Sequence, residues 1–235
     1  MEMKLDNRIT RICLFCAVLV LLVVVFLNLS SCKLWTVVKL DGEKSSQQEA
    51  VQFRGQKIDI KNYVDDIWDS KVIPYMEEKA NDISSVLDLL RREGKDIAGE
   101  KHGIREYEMG TPWKFIVKGQ GKIISVNAES RNGTIGIDLK PYDSQVDLEI
   151  QIGPVISGNL IRDSLDFVSF GDFTNQMEYS KFGSILNDKV KEQVLSGFDF
   201  KEMIGYEIEF LGIFTAETAD ILLTPVKIEI VGGKE

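Results

Sequence analysis

Beyond a long apolar run near its start, the chain changes hydrophobic period three times. Ile12 to Leu29 is apolar apart from Asn28. Further on, Ile60, Val64, Ile67, Trp68, Val72 and Ile73 fall at the spacing of one face of a helix. Asp59 is placed to cap that helix. Pro74 is placed to kink or restart it, because its ring clashes with the preceding turn and it has no N–H. A second stripe, Ile83, Val86, Leu87 and Leu90, predicts a helix that opens at Asn81 or Asp82 and closes at Gly94.

From Pro112 the period falls to two. WKFIVKG, GKIISVNAES, TIGIDLK and VDLEIQIGP read as short strands. Turns are expected at Lys118-Gly119-Gln120-Gly121, at Ser130-Arg131-Asn132-Gly133 and at Pro141-Tyr142-Asp143-Ser144. Ile135, Ile137 and Leu139 alternate with Gly136 and Asp138, so one face turns to a core and one to solvent. A helical turn within Ile156 to Leu165 and a short strand from Phe167 to Phe170 come next. Phe173 to Leu195 then reads as a helix, with Phe182, Ile185, Leu186, Val190 and Val194 inward, Asp172 or Thr174 at its start and Gly197 at its end. YEIEFLGIFT and DILLTPVKIEIVGG close the sheet, and Pro225 puts the last strand at an edge or a bulge. Five to seven short strands with one late helix predict an α+β fold: an N-terminal helical segment plus a small antiparallel OB-like β-barrel with one inserted helix. The expected divisions are 1–31 signal peptide, 32–57 lipidated cysteine and tether, 58–111 helical segment and 112–235 barrel.

The start of the chain speaks to location. A polar, basic stretch precedes the apolar run, and small residues follow it, the pattern of a secretory signal. Leu29, Ser30, Ser31 and Cys32 resemble the bacterial lipobox, which implies cleavage before Cys32, lipid on its thiol and a membrane anchor. An uncleaved membrane-spanning helix with a chance cysteine at its end is the alternative. Both place the body outside the cytoplasm, because the positive charges precede the apolar run. Lys33 to Arg54 turns polar and reads as a tether, with room for a strand at Trp35–Leu40.

Charge narrows the choice of partners. The net charge is −9. The first 31 residues hold three basic and two acidic groups, which leaves −10 for the remainder. No basic patch is visible, so nucleic acid is not an expected partner. The three cysteines, Cys13, Cys16 and Cys32, all precede the body, so neither a disulfide framework nor a thiol metal site is expected in it. The sole histidine, His102, reads as a solvated loop residue, and no metal or other cofactor is expected. Asp65, Asp66 and Asp69 read as the wet face of the first helix. No phosphate loop or nucleophile elbow occurs. The best candidate site is the polar set Arg131, Asp138, Arg162, Asp163, Asp172, Thr174, Asn175 and Gln176, set among Phe167, Phe170, Phe173 and Tyr179. Two readings stay open for it: a structural hydrogen-bond network, or a small-ligand pocket of the aromatic and polar kind that sugars use.

Several blocks in order, YVDDIWDSKVIPY, PWKFIVKGQGKI, SRNGTIGIDL and IQIGPVISGNLIRDSLDFVSFGDFTNQMEY, resemble a domain-of-unknown-function family of predicted bacterial periplasmic lipoproteins. The resemblance covers nearly all of the chain from Cys32 onward. It implies a small barrel of the OB kind and a gene neighbourhood of sugar transporters, particularly ribose-type ABC systems, and it carries no established activity. The resulting expectation is a lipid-anchored, non-enzymatic binding or accessory module whose partner is a small sugar or a sugar-transporter component. An envelope glycan hydrolase working through two carboxylates is the competing expectation, and a purely structural envelope protein a third.

Overall fold

The computed structural model describes residues 50–105, 111–217 and 220–233. The signal segment, the lipobox with Cys32 and the Trp35–Leu40 stretch lie outside the described residues.

A hairpin of β1 (Ala50–Phe53) and β2 (Gln56–Asp59) comes first. The tether expected to run to residue 57 therefore gives way to folded chain at Ala50. Helix α1 (Ile60–Ile67) follows, capped by the Asp59 carboxylate, which accepts from the Lys61 and Asn62 amides. A π-helical turn, Trp68–Val72, leads into α2 (Ile73–Lys79), so the chain meets Pro74 by widening a turn, and Pro74 falls near the start of α2 where a missing N–H is tolerated. The predicted stripe faces the core: Ile60, Val64, Ile67, Trp68 and Val72 are all buried. The two-residue strand β3 (Asn81–Asp82) precedes α3 (Ile83–Glu93), whose cap is the Asp82 side chain and whose end is Gly94 at φ +84°. Helix α4 (Lys95–His102) completes the helical part.

Strand β4 (Lys114–Asn127) is unbroken over 14 residues. This corrects the expected turn at Gly119-Gln120-Gly121. A Cβ at Gly119 would sit 2.3 Å from Ile83 Cγ2, and one at Gly121 2.4 Å from Ile137 Cγ2. The glycines answer to close neighbours rather than to a turn. The remaining strands are β5 (Thr134–Leu139), β6 (Leu148–Gln151), β7 (Glu207–Thr215) and β8 (Leu222–Gly232). β4 pairs with β7 through its first nine residues and with β5 through its second half. The order β4-β5-β6-β8-β7 therefore returns to β4 and closes a five-stranded barrel, with β3 added beside β4. Two pairings, β6–β8 and β3–β4, are parallel, which strand patterning alone did not reveal. Pro225 sits at a register shift of β8, the bulge alternative of the two expected.

The inserted helix is α5 (Gln176–Lys189), continued by a π-helical turn, Val190–Leu195. Its cap is Asn175, not Asp172 or Thr174. The strand expected at Phe167–Phe170 is absent. A 3-10 turn, Phe170–Asp172, stands there instead, held by a capping box between Ser169 and Asp172, and another, Arg162–Ser164, precedes it.

Barrel and helices share one core. Phe115 stacks on Phe214 at 5.3 Å inside the barrel. Phe53, Tyr63, Phe173 and Phe182 form a chain of ring contacts at 4.9–6.4 Å that joins the hairpin, α1 and α5. The fully buried rings of Phe115, Phe182 and Phe214 are each worth roughly 1.5–3 kcal/mol of transfer free energy.

Candidate functional site

The predicted polar set does not converge on one point. Arg131 is exposed in the β4–β5 turn. Asp138 is 1% exposed on β5, and its carboxylate accepts from the Asp143 and Ser144 amides at 3.3 and 2.7 Å. Asn175 caps α5 through the Glu178 amide, and Glu178 in turn accepts from the Thr174 and Gln52 amides. The Thr174 hydroxyl is 3.4 Å from Gln52 Oε1, and Gln176 opens the helix. Asp172 pairs with Arg54, Nε to Oδ1 2.9 Å, and accepts from the Ser169 amide at 2.8 Å. Burial is the largest single influence on Asp172 and opposes its charge. The hydrogen bonds from Arg54 and Ser169, with the Arg54 charge, outweigh it and hold the carboxyl below its usual range. Arg54 also donates to Phe167 O at 2.8 Å and clasps the hairpin turn to this segment. Asp138, Asp172, Thr174 and Asn175 thus each have hydrogen-bond partners within the chain.

Arg162 and Asp163 are different. They line a cavity of about 610 Å³ whose wall also includes Tyr75 and Lys79 of α2, Arg105 after α4, Trp113 before β4 and Tyr179 of α5. Arg162 is mostly buried. Its Nε donates to Asp163 Oδ1 at 2.7 Å, its Nη1 donates to Tyr179 O at 3.2 Å, and its guanidinium carbon lies 3.8 Å from the centre of the Tyr179 ring. The Tyr75 hydroxyl donates to Ser164 O at 3.0 Å, and burial foremost, then the charge of Asp166, raises its pKa, so it acts as a neutral donor. The Trp113 indole packs flat against α4, where a Cβ at Gly99 would fall 2.2 Å from Trp113 Cδ2. The Arg105 guanidinium covers the ring at 3.9 Å. Arg105, Trp113, Tyr75 and Lys79 were not singled out by sequence. They come from separate elements, and only the placing of α2 and α4 against β4 gathers them.

His102 ends α4 half-buried, with Nδ1 2.8 Å from Asn81 Oδ1, so it fastens the helix end to β3 and is not a solvated loop residue. Asp65 stays on the wet face but pairs with the buried Lys189 at 2.6 Å.

The outer face of β5, where OB barrels ordinarily bind, is covered by the chain's own loop 140–147. Val146 Cγ2 lies 2.8 Å from where a Gly136 Cβ would be, Tyr142 donates to Glu207, and Asp147 accepts from the Leu139 amide and pairs with Arg91 of α3.

A family model described as predicted periplasmic lipoprotein (DUF2291) matches residues 22–229. The chain belongs to this family. Membership places a DUF2291 body such as this one in the extracytoplasmic envelope. No curated protein matches the chain. A crystal structure of an OB-fold protein from Thermotoga maritima matches 75% of this chain and 100% of its own, at TM-score 0.62 and 21% identity. That likeness shows the fold: the DUF2291 body is an OB-like barrel with inserted helices.

Proposed function

We propose that this lipoprotein is a non-enzymatic binding module, anchored through lipid on Cys32, that holds a small sugar-like solute and serves a carbohydrate ABC transporter. The observation that carries the reading is the cavity of about 610 Å³. It lies within the range of small-molecule sites, roughly 300–1,000 Å³, and joins aromatic walls to fixed polar groups. Binding is preferred to hydrolysis for a physical reason. A glycosidase of the two-carboxylate kind needs two carboxyl groups free to face the sugar from either side. Asp163, inside the cavity, is already engaged by Arg162.

Calorimetric titration of the full-length chain in detergent micelles with pentoses and hexoses tests the binding. Saturable heat at millimolar sugar is expected, and none up to that concentration sinks the reading. For the anchor, Cys32→Ser is expected to abolish palmitate labelling and release the body from membranes.

A further inference from the structure

The cavity wall carries more cationic than anionic side chains. Arg105, stacked on Trp113, has no carboxylate partner among the described residues. Trp113 Nε1 is buried and has no hydrogen-bond partner among the described residues. Next to it, Lys114 is 6% exposed, and its ammonium has one acceptor, the backbone oxygen of Asp163 at 2.8 Å, with no carboxylate partner among the described residues. A buried ammonium without a carboxylate partner and an indole N–H without an acceptor among the described residues are both costly. Trp113 lines the cavity, and the Lys114 ammonium sits on the backbone of Asp163, another lining residue.

The wall as a whole is basic, with Lys79, Arg105 and Arg162 against Asp163 and Asp166. That runs against a chain of net charge −9. The groove of about 490 Å³ on the β4–β7–β8 side follows the background instead, with Glu77, Asp82, Glu209 and Glu229 against Lys118 and Lys227.

We propose that the cavity takes a sugar that carries an anionic group, a carboxylate or a phosphate, with that group at the Arg105–Trp113 end. Arg105 supplies the guanidinium fork for the anion. Lys114 supplies a fixed positive charge behind the wall, where low solvent access weakens screening. This inference rests on the sugar-binding reading and narrows it to acidic or phosphorylated sugars.

The test is calorimetry on the full-length chain in micelles with glucose, glucuronate, a glucose phosphate and inorganic phosphate. At least one charged sugar is expected to bind about tenfold tighter than glucose at low salt. The preference should shrink as salt rises toward about 0.5 M, while glucose binding holds. Competition by inorganic phosphate assigns a phosphate group, and tight glucuronate without such competition assigns a carboxylate. Arg105→Gln is expected to erase the preference, and the exposed Arg131→Gln to keep it. Glucose binding as tightly as both charged sugars overturns the anion site and leaves the sugar reading standing. Inorganic phosphate binding alone supports the anion site and overturns the sugar reading. No binding by any probe overturns both. Should Arg105→Gln fail to fold, the salt series on the unmodified chain decides.

Discussion

The outer face of β5 and the recess beside Trp113 belong to one barrel and have opposite fates. On β5 the polar groups are satisfied from within: Asp138 takes the Asp143 and Ser144 amides, and Asp147 takes the Leu139 amide and Arg91. Beside Trp113 the indole N–H has no acceptor among the described residues, and the Lys114 ammonium has only the backbone oxygen of Asp163. The first face has its named polar groups paired within the chain. The second keeps unspent hydrogen-bonding capacity in a concave place. Whether a barrel surface becomes a site is thus decided by what packs on it, and here a loop closes one surface while two helices and a turn frame the other.

The largest expected effect separates the two regions through the core. Trp68, 2% exposed, anchors the helix that presents Tyr75 and Lys79 to the cavity. Trp68→Ala is expected to cost about 3–5 kcal/mol in urea unfolding. Hydrogen exchange should rise first in α1 and α2, with the β5 face still protected. Equal loss of protection on both sides would show that the two regions are one cooperative unit. Next, Gly99→Ala forces a methyl into the Trp113 ring and is expected to cost about 1–3 kcal/mol and to distort the cavity. Trp113 fluorescence should shift, against the background of the other tryptophans, while loop 140–147 keeps its exchange protection.

Asp138→Ala is the converse test. It strands two amides and is expected to cost about 1–3 kcal/mol, loosening loop 140–147 without changing ligand affinity. Limited proteolysis of the loop would report it, and a loss of affinity would refute the separation. The smallest effect is at the Arg54–Asp172 clasp, whose arginine is largely exposed. The Asp172 pKa is depressed in the folded state, so its contribution is present above the unfolded-state value of 3.8 and is lost as pH falls through the folded one. Arg54→Gln is expected to flatten the acid limb of stability slightly below about pH 4, as read by unfolding midpoints across pH.

Much of the fold is legible because its signals are local. The stripe from Ile60 to Val72, the caps at Asp59 and Asp82 and the stop at Gly94 depend on residues within a few turns of one another. The glycines of β4 misled for the same reason. Gly119 and Gly121 look like turn residues in sequence, and only the approach of Ile83 and Ile137 explains them. At the site, Arg162 and Asp163 were legible as polar groups among aromatics. Arg105, Trp113 and Lys114 were not, because nothing local marks an unmatched donor.

By itself the sequence determined the main helices, most of the barrel strands, the small barrel with its inserted helix and the family, since these follow from periodicity, caps and ordered blocks along the chain. The tertiary structure alone decided which polar residues are paired within the chain and which line the cavity. That outcome depends on partners brought together from far along the chain, such as Lys114 with Asp163 and Arg54 with Asp172, and no pattern in one segment encodes it.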